Sequence, residues 1–220
     1  MIHWLMQRMF GLYIKVLLAL KSAVLFDKIN QLEWYRETLH QWINGHKFNS
    51  NIKILEVGCA TGLLSGYLAK RGYATAAVDF SETMIVAASS SILSVDFYVA
   101  DVINLPFKDG EFDAIVSASV VNIISDQQAA IKEMMRVCKR GGVISILVPA
   151  HGFNNEELQD LIKSIGVSDF SEAALRAWHK SAPKMHIHAA EALLHKAGLI
   201  TAPPISYLQG MVSSVSATNP

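Results

Sequence analysis

The sequence predicts an α/β fold: a mainly parallel sheet flanked by helices on both faces, with an N-terminal helical extension and a helical insertion after the fifth strand. From Ile52 onward short apolar runs alternate with stretches of helical periodicity, the signature of βαβ units. The first run, 52–57, opens straight into a turn of small residues and then a helix. The run 143–148 is unbroken and rich in β-branched residues, as a strand covered on both faces should be.

Each element follows in order. After the strand at 52–57 comes a helix through about 69, a second strand at 74–78 and a second helix from 82 to about 91. Strands are expected at 97–100 and 112–117. Ala130, Met134 and Val137 give 126–138 a helical period, and Arg136, Lys139 and Arg140 crowd its carboxyl end, where the helix dipole favours cations. Gly141 and Gly142 are expected to stop that helix before the fifth strand. Beyond Pro149, helices at 154–164 and 172–180 make an insertion of about 152–182 over the carboxyl edge of the sheet. A last helix at 188–197 ends at Gly198. Segments 199–208 and 211–217 read as a closing hairpin, the first of them limited to an edge or bulged strand by Pro203 and Pro204. The organisation is thus an extension or lid over 1–50 and one domain over 51–220.

Composition narrows the function. A chain of 220 residues with 51% hydrophobic content can bury a substantial core. Its 19 basic and 19 acidic side chains cancel without a block of like charge, which argues against nucleic acid as partner. Cys59 and Cys138 have no paired spacing and no cluster suited to zinc, so no metal is expected and a reducing cytoplasm fits. The apolar stretch 9–26 is interrupted by Lys15 and Lys21, while Leu5, Met9, Leu12, Val16, Leu20 and Val24 recur at helical spacing. A helix packed on the domain or its substrate is the leading reading; a peripheral membrane helix and a cleaved signal are the others.

The chemistry concentrates in 54–62, Ile-Leu-Glu-Val-Gly-Cys-Ala-Thr-Gly. Small residues let the backbone approach a ligand, and the helix that follows offers free amides and a positive dipole end. A dinucleotide fingerprint would need small residues at its first, third and sixth positions, and the chain supplies Gly58, Ala60 and then Leu63. These residues resemble motif I of the class I S-adenosylmethionine-dependent methyltransferases, an acid followed by alternate glycines: Glu56, Gly58, Ala60, Gly62, with alanine in place of the central glycine. The resemblance implies a Rossmann-like domain with S-adenosyl-L-methionine as cofactor.

Further stretches match the same family in order. Asp79, at the end of the second strand and followed by Phe80, Ser81 and Met84, can accept both hydroxyls of a ribose through its two oxygens, with Phe80 and Met84 as apolar walls for adenine. Asp79 and Ser81 are equally suited to capping the next helix. Asp101-Val102-Ile103-Asn104-Leu105-Pro106-Phe107 resembles the family's Asp-x-x-x-Leu-Pro-Phe segment, which implies that Asp101 takes the adenine amino group and the Val102 amide a ring nitrogen. By resemblance Ser117 lies where backbone meets the methionine ammonium group. Residues 133–142 resemble the architectural Glu-x-x-Arg-Val segment of quinone-type methyltransferases.

A general base is needed only where the acceptor must lose a proton. His151 is the candidate, because it directly follows the fifth strand and open α/β sheets place reacting groups beyond the carboxyl ends of their strands. His186 and His188 would share one side of a strand but diverge on a helix, and lack a third metal ligand. Trp34 and Tyr35 suit a core role or a lid over the site. The expected activity is methyl transfer to a small, hydrophobic acceptor of the type 11, quinone-like branch. A silent cofactor-binding subunit that activates a partner, a nicotinamide-dependent oxidoreductase, and transfer of another group from a related sulfonium are the rivals.

Overall fold

The computed structural model describes residues 21–220. The elements run α1 (Ser22–Asn30), α2 (Glu33–Gly45), β1 (Lys53–Val57), α3 (Leu63–Lys70), β2 (Ala74–Asp79), α4 (Glu82–Ser91), β3 (Asp96–Val99), β4 (Phe112–Ala118), α5 (Gln127–Val137), β5 (Cys138–Pro149), α6 (Asn155–Ile165), α7 (Asp169–Ser181), α8 (Ile187–Lys196), β6 (Ile200–Thr201), β7 (Ile205–Tyr207) and β8 (Val212–Thr218). Most of the predicted extension helix, with Leu5, Met9, Leu12, Val16 and Leu20, lies outside the described residues. Within α1 the predicted stripe is displaced by one position: Val24 is 43% exposed and Leu25 is buried.

The strands form one sheet in the order β3-β2-β1-β4-β5-β8-β6, parallel from β3 to β5, with β8 antiparallel to β5 and β7 paired to β8. The order reverses between β1 and β4, the switch point at which open α/β sheets bind ligands. Alternation along the strands divides the core into two layers. Leu55, Val57, Ile115, Ile144 and Ile146 pack with Ile131 and Met134 of α5 and Leu194 of α8. Ile54, Ala114, Val116 and Leu147 pack on the other face with Trp42 and Ile43 of α2, Leu64 and Leu68 of α3, and Leu158 and Leu175 of the insertion. From Ile144 to Pro149 every residue of β5 is buried, Ser145 included, as a strand covered on both faces should be.

The extension is anchored to this sheet by a polar contact inside the second layer. Trp42 Nε1 donates to Ser145 Oγ at 2.9 Å, and His46 Nε2 and Ser216 Oγ lie 3.0 and 2.9 Å from the same oxygen. Burial holds the His46 imidazole below its ordinary value, so the ring favours its neutral form there.

The end of α5 corrects the sequence reading. The helix stops at Val137, ahead of the two glycines. Asn219, near the end of the last strand, donates through Nδ2 to the carbonyl of Cys138 at 2.8 Å and to those of Met135 and Lys139 at 3.2 Å. A side chain from the far end of the sequence therefore takes up the carbonyls a helix terminus leaves open. Gly141 and Gly142 instead build a bulge between the Phe112–Cys138 and Ala114–Val143 pairs. A Cβ on Gly142 would fall 2.7 Å from Cys138 Sγ and 2.9 Å from the Asp113 carbonyl. Asn219→Ala is expected to cost about 1–2 kcal/mol, a fall in Tm of roughly 2–8 °C, with cofactor affinity unchanged; thermal unfolding and titration check both.

The closing hairpin is also broken as its prolines suggest. Pro203 and Pro204 separate β6 from β7, and each short piece pairs with β8 alone.

Candidate functional site

At the end of β1 the chain makes a tight loop whose geometry explains its small residues. Gly58, Ala60 and Gly62 have φ of 79°, 45° and 84°, the left-handed region, at alternate positions. Glycine is at ease there; Ala60 carries a cost on the order of 1 kcal/mol. The loop is fixed by Gly58 and Cys59 amides donating to the Val78 carbonyl at 2.8 and 3.0 Å. Gly62 is the N-cap of α3 and supplies no side-chain acceptor, which leaves the first amides of that helix available to a ligand.

Asp79 ties the neighbouring strand to this loop. Its Oδ2 accepts from the Ala60 amide and its Oδ1 from the Ser81 amide, both at 2.9 Å. A carboxylate has about four acceptor positions, so each oxygen retains one for a hydroxyl group. Capping of α4 falls to Ser81, whose hydroxyl accepts from Met84. Beside it, Phe80 is 78% exposed.

These groups converge on a cleft of about 280 Å³ at the carboxyl edge, walled by Gly58, Asp79, Phe80, Asp101, Val102 and Val120 among others. Asp101 is exposed and its Oδ1 accepts from the Ile103 amide at 3.1 Å. Val120 presses on the glycine loop so closely that a Cβ on Gly58 would lie 2.0 Å from its Cγ2. A more open groove of about 470 Å³ runs between the start of α5 and α8, with none of the sequence-predicted site residues on its wall.

Other predicted residues stand behind the cleft. Met84 is buried on the inner side of α4, not on the cleft wall. Ser117 is buried and its hydroxyl donates to the Val57 carbonyl at 3.0 Å, bracing β1 against β4. Glu56 is buried beneath the loop, where the Ser65 hydroxyl donates to its Oε2. Burial, with Asp79 adding to it, pushes the Glu56 carboxyl up to about 7 against the opposing Ser65 bond. Burial and the nearby Glu56 push the Tyr35 phenol up to about 12, and the same causes with Asp79 raise the Cys59 thiol further.

The extension and the insertion meet over this region. Asn30 Nδ2 donates to Thr61 Oγ1 of the loop at 2.8 Å. Trp34 stacks on Trp178 of α7 at 5.7 Å, its Nε1 donates to Ser171 at 3.1 Å, and Tyr35 meets Trp178 edge-on at 6.3 Å. Asn30, Ser65, Val120 and Trp178 escape sequence reasoning; only the Ser65 position, one turn into the helix after the glycine loop, carries a local signal.

His151 is exposed just past β5, its ring 3.6 Å from that of His186, and it does not line the cleft. His186 stands at the N-cap position of α8 without a side-chain capping bond, while His188 faces Glu191 at 2.9 Å, so the two histidines diverge. Among the described residues no cluster of three or more His, Cys, Asp or Glu side chains could hold a metal, and no helix is long and apolar enough to cross a membrane.

Residues 55–146 match a family profile described as a methyltransferase domain. Over that stretch the chain is similar to a methyltransferase domain. The match spans β1 to β5, the strands that build the cleft, and S-adenosylmethionine would fit what they present: a backbone loop, a carboxylate with spare acceptor positions, and an exposed aromatic ring. Among relatives, the demethylmenaquinone methyltransferase of Corynebacterium glutamicum is 32% identical over 145 residues, 59% of this chain and 62% of its own. The malonyl-[acyl-carrier protein] O-methyltransferase of Buchnera aphidicola is 37% identical over 103 residues, 46% of this chain and 41% of its own. The chain spans 36% to 62% of the length of the curated relatives it matches. In fold it is similar to a Haloferax volcanii methyltransferase solved in complex with the Trm112 activator, with a TM-score of 0.70, 16% identity and coverage of 90% of this chain and 94% of that one.

Proposed function

We propose that this protein transfers a methyl group from S-adenosylmethionine to a small, hydrophobic acceptor. The observation that carries the reading is the convergence of Gly58, Asp79, Phe80, Asp101 and Val102, drawn from separate sequence signatures, on one cleft at the sheet's switch point. In this reading Asp79 binds the ribose hydroxyls, Phe80 covers the adenine, Asp101 and the Val102 amide read its edge, and the loop from Glu56 to Gly62 with the backbone at Ser117 holds the methionyl end.

The cofactor supplies an electrophilic methyl on a sulfonium, and the protein's part is alignment and exclusion of water. The aromatic contact between α2 and α7 suits a wall for an apolar acceptor, the basis for its proposed character. Where the acceptor must lose a proton, His151 is the proposed base, exposed at the carboxyl edge with His186 against it.

A second reading, in which the chain works with a partner subunit, draws on the Haloferax volcanii complex and on the exposure of Tyr98 and Val99 along the edge strand β3. Methyl transfer from labelled cofactor to a panel of apolar phenols and quinols separates the two. Turnover by the purified chain alone supports an independent enzyme. Binding without turnover on any acceptor until a partner is added supports the second.

A further inference from the structure

Glu56 is a buried carboxyl without a counter-ion. Every group that faces it is neutral or acidic: the Ser65 hydroxyl from α3, Asp79 from β2, the Tyr35 phenol from α2, and the Cys59 thiol two residues beyond the end of its own strand. Among the described residues no lysine, arginine or histidine forms an ion pair with it. A charge in such a place is costly until a cation arrives. The neighbouring cleft, on the reading proposed above, receives a ligand whose methionyl end bears an ammonium group.

We propose that Glu56 stands as the neutral acid in the free protein and gives up its proton to solvent when the ammonium end of the cofactor settles beside it, so that cofactor binding expels a proton. The step balances simply. The carboxyl O–H bond breaks, the proton passes to the buffer, and the carboxylate that remains accepts from the Ser65 hydroxyl and the incoming ammonium. The carboxyl's displacement to about 7 sets the range in which this matters. Above that range the site is already ionised and affinity is flat. Below it affinity falls, by about tenfold per pH unit, because each binding event must first remove a proton.

The same exchange has a signature in the free protein. A carboxyl raised in the folded state stabilises the fold below its unfolded value, and this contribution is lost as pH rises through the folded one. Glu56→Gln is therefore expected to raise Tm at pH 8.5 relative to the natural chain and to change it little at pH 4.

The test pairs two measurements. Infrared difference spectra of the free protein, natural chain minus Glu56→Gln, should show a protonated carboxyl band at pH 6 that is gone at pH 8.5. Calorimetric titration with S-adenosylhomocysteine, in buffers of different ionisation enthalpy, should show close to one proton released per site at pH 6 and almost none at pH 8.5. Affinity at pH 6 should be about tenfold weaker. Ser65→Ala, which removes the donor favouring the ionised form, should move the midpoint upward, and it keeps the test alive if Glu56→Gln does not fold. An ionised Glu56 in the free protein at pH 6, or tight binding there without proton release, would overturn the proposal. Absence of binding at pH 8.5 with the acid band intact would instead fault the cofactor assignment and remove the linkage with it.

Discussion

Asp79→Ala is expected to weaken S-adenosylmethionine binding by at least tenfold, about 1.4 kcal/mol or more, measured by calorimetric titration. Two losses combine. The ribose hydroxyls lose a charged acceptor, and the Ala60 and Ser81 amides lose the oxygens that now hold them at 2.9 Å. The second loss frees a loop whose left-handed Ala60 is already strained. Asp79→Asn separates them: its amide oxygen can still accept from one backbone group while the charge is gone, so an intermediate affinity is expected. An unchanged affinity in the alanine variant would refute the role given to Asp79.

Gly58→Ala should be more severe. The new Cβ would meet Val120 at 2.0 Å, so Val120 must leave its place on the glycine loop, and the residue at φ 79° becomes strained in any case. Strain and repacking together are expected to cost about 2–4 kcal/mol of stability. Because Val120 lines the cleft, its displacement should also remove measurable cofactor binding. Gly72→Ala is the control: its φ is 87°, but nothing lies within 4 Å of the added carbon. Equal behaviour of the two variants would mean that strain alone acts and that Val120 has no part in shaping the site.

Much of this arrangement is legible in the sequence because it rests on local rules. The run into Gly58, Ala60 and Gly62 announces its loop, since glycine is the residue at ease in the left-handed region, and two of the three alternate left-handed positions carry it. Asp79 and Asp101 can be placed because each follows a strand, and strand ends gather at one edge of a parallel sheet. What escapes is long-range. The stop of α5 is made by Asn219, 81 residues from Cys138, so a local reading credited the nearer glycines. Trp34 meets its partner Ser171 across 137 residues, and nothing in either segment names the other. Met84 shows a subtler limit: it stands next to the cleft in sequence, yet helix rotation turns its side chain into the core. Glu56 could be read as part of the motif, whereas its lack of a counter-ion depends on what α2, α3 and β2 bring against it.

The central claim, that the cleft between β1 and β4 is a site for S-adenosylmethionine, is tested most directly by parallel calorimetric titrations with S-adenosylmethionine, S-adenosylhomocysteine and NADH at pH 8.5. Micromolar binding of both sulfur ligands, with none of NADH, is the expected result. Binding of NADH instead, or silence from both sulfur ligands, would contradict the account.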